Sequence, residues 1–460
     1  MERIAFWREA LQGSRLYDER ARDNFSRICA ALEANSGASF SAACAGRLRQ
    51  SGGRLFGTEK TTGEGLQHGH DEQTAQRSSG KEVVVAQDTT ELNDTTHRAK
   101  TGLGQIGSVK SLRGVLVHTA LAVGRDGVVL GVIGQKCWVR ADACVAKAVQ
   151  RRQMPIEAKE SYKWIEGLRW AERLSEQATK VIVVSDREGD VYEVFKCAAS
   201  CQCEFDCAGS TSPTDDRGRI GGVRRRCVPQ QDLLSAMNTA KVVGTRLIEI
   251  ERENRLETIE LQVKVYAAQV HRPKHFRSGS GLAHTIPIWV VEAQEADKGQ
   301  AQAIRWTLLC TERTESASDA LRRLDDYVLR WRVERFHYTL KQGLKVERLQ
   351  FDDARTVMNA VSAYSLVAWR LMFMTYYARL YPSRPCSEIV SVEEHRALSA
   401  KAKGSVQSVG EVVLEIAKLG GYRQSHAPPG VKVIWRGLYA LQFLTMGFSL
   451  ALSQKNMRQD

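Results

Sequence analysis

The segment from Tyr327 to Lys341, YVLRWRVERFHYTLK, holds a carboxylate, an Arg, a Lys and a phenol at spacings one helix can gather. At about 100° per residue, with Tyr327 at zero, Arg330 falls at about 300°, Lys341 at about 320° and Glu334 at about 340°. Leu329, Val333, Phe336 and Leu340 fall between about 180° and 240°, so the opposite face is apolar. One polar stripe thus presents Glu334 flanked by cations and a hydroxyl. Such a stripe suits a metal ion held beside phosphates, the Glu on Mg²⁺ and the cations on phosphate oxygens. The plain alternative is a solvated face with an incidental Arg330–Glu334 ion pair.

Two aspartates extend the pattern. Val83–Ala86 is a short β-branched run ending at Gln87-Asp88, and Val181–Val184 is a second, ending at Ser185-Asp186. Both read as strands buried on both faces. A carboxylate at the end of such a strand points into the crevice where open α/β sheets bind ligands. Two of them with a downstream Glu can hold a pair of Mg²⁺ ions about 3.5–4 Å apart, a device for displacement at phosphorus.

The elements that must position these residues follow from periodicity. Residues 1–34 read as helix, and the polar, Gly-rich stretch from Leu48 to Gly80 reads as short helices and loops. Val115–Val123 and Val128–Val139 form a hairpin signal around Gly124–Gly127. Helical spacing returns over Ser161–Gln177. Arg246–Gln269 and Ile286–Ala293 look like antiparallel strands. Ile304–Thr311 leads as a strand into a helix over Ser316–Gly343, and the chain then reads mostly helical.

The bulk composition narrows the setting. Lys plus Arg total 66 against 53 acids, 66 − 53 = +13, with a pI near 9.2, a balance that favours polyanions. Val357–Met374 and Leu438–Leu452 are apolar, but the first carries Arg370 and the second is too short to span a bilayer comfortably, so both read as buried helices. The N-terminus is not a signal peptide, and eleven irregularly spaced cysteines fit reduced thiols in a cytoplasmic setting. Cys197, Cys201, Cys203 and Cys207 lack the paired knuckles of structural zinc sites.

The chain resembles the DDE-type transposases of bacterial insertion sequences, in the group marked by a Tyr-x2-Arg-x3-Glu-x6-Lys signature. Tyr327, Arg330, Glu334 and Lys341 match it at every position, and Gln87–Leu92 (QDTTEL) and Val184–Asp190 (VSDREGD) match the two aspartate motifs. Gly102–Gly107, Trp138–Arg140, Lys159–Trp164, Leu419–Tyr422, Pro428–Gly430 and Trp435–Gly437 match further, in order along nearly the whole chain.

The resemblance implies a ribonuclease-H-like catalytic core with a β-rich insertion, flanked by N- and C-terminal helical domains. The implied segments are 1–75 (helical, DNA-binding), 76–210 (first part of the core), 211–303 (insertion), 304–380 (second part, with the Glu helix) and 381–460 (helical, dimerising). Asp88, Asp186 and Glu334 would bind two Mg²⁺ ions, with Mn²⁺ able to substitute. Tyr327, Arg330 and Lys341 would grip the DNA end, Trp306 would stack at a flipped base, and Arg20, Arg22 and Arg27 are candidates for end recognition. The implied reaction is cut-and-paste transposition of double-stranded DNA through a hairpin, by a homodimer, away from membranes and at the nucleoid. The competing reading is a catalytically silent DNA-binding inhibitor with the same fold, and a third is a structure-specific nuclease. Two departures stand out: the strand at Glu204–Ser210 has no Arg, unless Arg217 or Arg219 substitutes, and Gly53-Arg54 stands where the family tends to have an aromatic–Arg pair.

Overall fold

A computed structural model describes residues 3–97, 99–109, 111–140, 154–209, 225–227, 231–232, 239–252, 255–273, 284–296, 304–423 and 427–456. Arg217 and Arg219 lie outside them. In chain order the elements are α1 (Arg3–Ala10), α2 (Glu19–Ala34), α3 (Phe40–Ala43), α4 (Arg47–Gly57), α5 (Gly63–Arg77), β1 (Glu82–Asn93), β2 (Gly104–Gln105), β3 (Arg113–Gly124) and β4 (Val129–Trp138). Then come α6 (Tyr162–Glu172), β5 (Lys180–Ser185), α7 (Tyr192–Ala198), β6 (Glu204–Ala208), β7 (Arg225–Cys227), β8 (Gln231–Asp232), β9 (Val242–Arg252), β10 (Arg255–His271), β11 (Thr285–Glu295) and β12 (Arg305–Cys310). The remainder is helical: α8 (Ala317–Val328), α9 (Trp331–Tyr338), α10 (Ala354–Leu380), α11 (Val392–Ala402), α12 (Val409–Leu419) and α13 (Val431–Asn456). The protein is mixed α/β, and its residues fall into two compact units.

The first unit comprises Met1–Ser79, Thr89–Ala143 and Arg332–Asp460. Its β3–β4 hairpin turns at Gly124–Gly127, where Gly127 takes φ +91°, and β2 pairs with β3. Helix α5 packs on β4 so closely that a Cβ at Gly131 would stand 1.9 Å from Thr74 Oγ1. Helix α10 is apolar and long enough to cross a membrane, yet 89% of its most apolar stretch is buried inside the protein. Its Trp369 donates to Val129 O at 3.0 Å, and the Arg77 guanidinium lies 4.5 Å from the Trp369 ring. The buried-helix expectation holds for Val357–Met374. It fails in part for Leu438–Leu452: Leu438 and Leu441 are buried, while Tyr439, Phe443, Met446 and Leu450 are exposed. An apolar run tells how much surface wants covering, not whether this chain covers it.

The second unit comprises Gly80–Asp88 and Cys144–Trp331. Here β1 pairs parallel with β5, β5 parallel with β6, and β6 antiparallel with β12. From β12 the sheet continues antiparallel through β11 and β10, so the strands expected of an insertion extend the same sheet. Its core gathers Leu261, Val263, Val291, Ala293 and Leu308 beneath Ala320 and Leu324 of α8.

Two sequence expectations need correcting. β1 does not end at Gln87 but runs to Asn93, so Asp88 sits within a strand; Thr89 and Thr90 are β-branched and sustain extended backbone. The helix expected over Ser316–Gly343 is broken: α8 ends at Val328, α9 starts at Trp331, and Thr339–Gly343 forms a π turn. The break coincides with Arg330, which is only 7% exposed and lies against the Tyr327 and Trp331 rings at 5.4 and 5.0 Å.

Candidate functional site

In the second unit, register sets the two aspartates side by side. Ala86 pairs with Val184 across the parallel β1–β5 ladder, and Asp88 and Asp186 each lie two residues further on. Side chains alternate along a strand, so Asp88 stands on the sheet face of Ala86, while Asp186 directly follows the last residue of β5. Asp186 Oδ1 accepts from Glu188 N at 2.8 Å, which caps the turn Arg187–Gly189 and fixes the carboxylate at the strand exit. Burial pushes the Asp186 carboxyl above its ordinary range, the Asp88 charge adds to the push, and Arg330 opposes it. Tyr327 is half-buried, its phenol raised by burial, and it feels both Arg330 and Asp186. Asp88, Asp186, Tyr327 and Arg330 therefore form one electrostatically coupled group.

Trp306, on β12, is half-buried and continues the apolar stripe of Leu308 and Cys310, packed against the sheet core. This is the surrounding an ordinary core tryptophan would have, with one edge left accessible.

In the first unit, Glu334 lies on α9, partly exposed, while Val333, Phe336 and Leu340 are fully buried as the periodicity requires. A chain of side-chain hydrogen bonds anchors this helix. His337 Nε2 meets Thr119 Oγ1 at 3.2 Å, Gln135 Nε2 donates to Thr119 Oγ1 at 3.0 Å, and Gln67 and Ser365 both donate to Gln135 Oε1 at 3.0 Å. Lys341, in the π turn, donates to Glu91 O at 2.8 Å and faces Glu347 at 3.6 Å. The Glu91 carboxylate accepts from Gly107 N at 2.7 Å and lies 3.6 Å from Arg140. Three segments far apart in sequence, Gly102–Gly107, Trp138–Arg140 and the signature Lys, thus meet around Glu91. π turns inside helices recur at functional sites because they re-aim one side chain without ending the helix.

The N-terminal arginines diverge. Arg27 pairs with Asp23 at 2.7 Å, as does Arg8, so it belongs to a solvated face. Arg20 is exposed and Arg22 half-exposed. Within the cysteine group, the Cys197 and Cys201 sulfurs are 3.7 Å apart. Among the described residues, no set of three or more His, Cys, Asp or Glu stands at metal-ligand spacing.

Sequence reasoning missed a charge cluster in the second unit, on the strand noted for lacking an Arg. Arg323 of α8, 2% exposed at its side chain, reaches Glu204 at 3.3 Å, Asp206 at 3.4 Å, Asp326 at 3.6 Å and also Glu312. Lys180 pairs with Glu204 at 3.3 Å and with Glu312. Four carboxylates face two cations. Burial, then the hydrogen-bonded Glu312, pushes the Glu204 carboxyl up to about 8, and burial pushes Asp206 up to about 6, while Glu312 is lowered. The only advance signal was the alternation of Glu204 and Asp206 on a buried strand, which demands a counter-charge without naming it.

A pH effect follows. Folded-state values raised above the ordinary ones mean that Glu204 and Asp206 favour folding below their ordinary range. That contribution is lost as pH rises through about 6 and then about 8. The melting temperature of the wild type is expected to fall across this window. Glu204→Gln, whose amide keeps a donor toward Glu312, should flatten the upper part, and an unchanged slope in that variant would remove Glu204 as its source.

No protein-family model matches the chain.

Proposed function

We propose that the protein is a transposase with a ribonuclease-H-like core that cuts and rejoins double-stranded DNA at the ends of its own element. The observation that carries this reading is the pair of aspartates, Asp88 on β1 and Asp186 at the exit of the adjacent parallel strand β5, coupled to Tyr327 and Arg330. A cation site fits the pair: the donors are hard carboxylate oxygens, partly desolvated, and each disfavours the other's charge until a cation lies between them. Asp88 and Asp186, with Glu334 as the third carboxylate, would hold Mg²⁺. When bound, the metal supplies charge neutralisation at the attacked phosphate and lowers the pKa of an attacking water.

The chain's own groups do the rest. Arg330, in a buried setting, offers a guanidinium to a phosphate oxygen with its rotamer already fixed by the Tyr327 and Trp331 rings. Lys341 is steered from Glu91 O, so its ammonium is presented in one place. In the reaction proposed, water adds to phosphorus and frees a 3′-hydroxyl. That hydroxyl attacks the opposite strand, expelling its 3′-oxygen and closing a hairpin, which a second water reopens. The regenerated 3′-hydroxyl then attacks a phosphodiester of the target DNA and expels a target 3′-hydroxyl.

The test uses labelled DNA flanking the gene, incubated with the protein and Mg²⁺ or EDTA and run on a denaturing gel. Hairpin-sized product in Mg²⁺ alone is expected. Binding without cleavage would favour the silent inhibitor, and simple breaks without hairpins would favour a nuclease.

The homodimer is supported by α13. Tyr439, Phe443, Met446 and Leu450 recur at spacings of four, three and four, the seam of a helix pair, and are 41%, 54%, 54% and 65% exposed. Phe443→Glu should convert the species seen by light scattering to monomer with an unchanged circular-dichroism spectrum. A dimer that persists would place the interface elsewhere.

A further inference from the structure

Within the first unit, α4 and the loop after the π turn enclose a cleft of about 170 Å³. Phe40 and Phe351, 5.1 Å apart at their ring centroids, form its apolar wall. Arg49 and Arg348 stand on its rim, and no acidic side chain lines it. Both side chains are exposed, and among the described residues neither guanidinium has an ion pair or hydrogen-bond partner. Helix α4 (RLRQSGGRLFG) contains three arginines and no acid. Opposite it, Lys345 holds a left-handed backbone, φ +53°, just before Arg348, a conformation that costs a non-glycine residue about 1 kcal/mol.

Gly53 is the telling residue. It sits inside α4, where glycine weakens a helix relative to alanine, and it lines the cleft. The next-door Gly52 has an internal reason to lack a side chain, because a Cβ there would stand 2.8 Å from the Phe40 ring. A Cβ at Gly53 would meet nothing within 4 Å. The protein's own packing does not require that glycine; a ligand entering the cleft would.

The occupant is set by size and charge. A cleft of about 170 Å³ has room for one planar ring system and not for a duplex. An aromatic wall offers stacking to any base, and two unpaired guanidiniums offer phosphate contacts. Resting on the DNA reading above, we infer that this cleft takes one unstacked nucleotide of DNA, its base against Phe40 and Phe351 and its phosphate between Arg49 and Arg348. Its lining includes none of Asp88, Asp186 and Glu334, so the protein would hold a frayed or single-stranded DNA end in addition to the strand it cuts.

The experiment compares two fluorescein-labelled probes by anisotropy: a blunt duplex of the DNA flanking the gene, and the same duplex with a short single-stranded overhang. The wild type should bind the overhang probe about tenfold more tightly. Gly53→Ala should melt at a higher temperature and yet lose much of that preference; Gly53→Leu should bind both probes alike. Weakened binding in a more stable protein excludes misfolding as the cause. Arg49→Ala combined with Arg348→Ala should lower the salt dependence of overhang binding by one phosphate contact, about 0.7 in the log–log slope. Equal wild-type affinity for both probes, or a preference retained in Gly53→Leu, overturns the cleft assignment while leaving DNA binding intact. No wild-type binding to either probe overturns the cleft and the DNA reading together.

Discussion

Replacing Glu334 by Gln should abolish cleavage of the flanking DNA, by a factor on the order of 10³–10⁶ in rate, while leaving DNA binding in place. Asp88→Asn and Asp186→Asn should do the same, because an amide keeps the size and polarity of the side chain but cannot supply an anionic oxygen to a cation. A second readout separates metal binding from catalysis. A ligand bound to the folded state alone stabilises it by about 2.7 kcal/mol at a hundred times its dissociation constant. The wild type should therefore melt at a higher temperature in Mg²⁺ than in EDTA, and each variant should lose that difference. In EDTA the order should reverse for Asp186→Asn, which should exceed the wild type in melting temperature. Burial and the neighbouring Asp88 both disfavour the Asp186 charge, and the amide removes it. If Glu334→Gln alone keeps both cleavage and the Mg²⁺ shift, Glu334 is no partner of the two aspartates. Equal melting in Mg²⁺ and EDTA for the wild type would remove the metal from the reading.

The largest stability effect is expected at Arg323. Its guanidinium is opposed by burial, yet Asp206, Glu312 and Asp326 together hold it firmly charged. Arg323→Met should cost about 3–5 kcal/mol, the range for breaking a buried ion pair from one side, since the carboxylates it faces are left uncompensated. The loss should be larger at alkaline than at acidic pH, because Asp206 and Glu204 take up protons near about 6 and about 8 and so relieve their own repulsion. Adding Glu312→Gln to Arg323→Met should recover part of the stability, as expected for residues in one network. Urea denaturation at two pH values measures this directly. A cost that is small and independent of pH would show that the cluster is screened by solvent.

Several features of the protein were legible from residue order alone. Short β-branched runs at Val83–Ala86 and Val181–Val184, the hairpin about Gly124–Gly127 and the buried face of Val333, Phe336 and Leu340 each depend on local periodicity, and local periodicity is what a sequence displays. The candidate residues were legible because acid, base and phenol recur at separations that a helix or strand makes meaningful. Register was not. That Asp88 and Asp186 stand at equivalent positions follows from Ala86 pairing with Val184, a long-range choice among strands. The extension of β1 past Asp88 follows from the β-branched Thr89 and Thr90, while the break around Arg330 has no mark in the helical period.

Charge partners were the least predictable. Arg323, Glu204, Asp206 and Glu312 are brought together by β6, the end of β12 and α8, and nothing in their separations marks them as one cluster. A buried charge demands a partner, but the demand is met through space. For the same reason, the sequence by itself determined that the Leu438–Leu452 segment is an apolar helix. Only the tertiary structure decided that one side of it, with Tyr439, Phe443, Met446 and Leu450, is exposed.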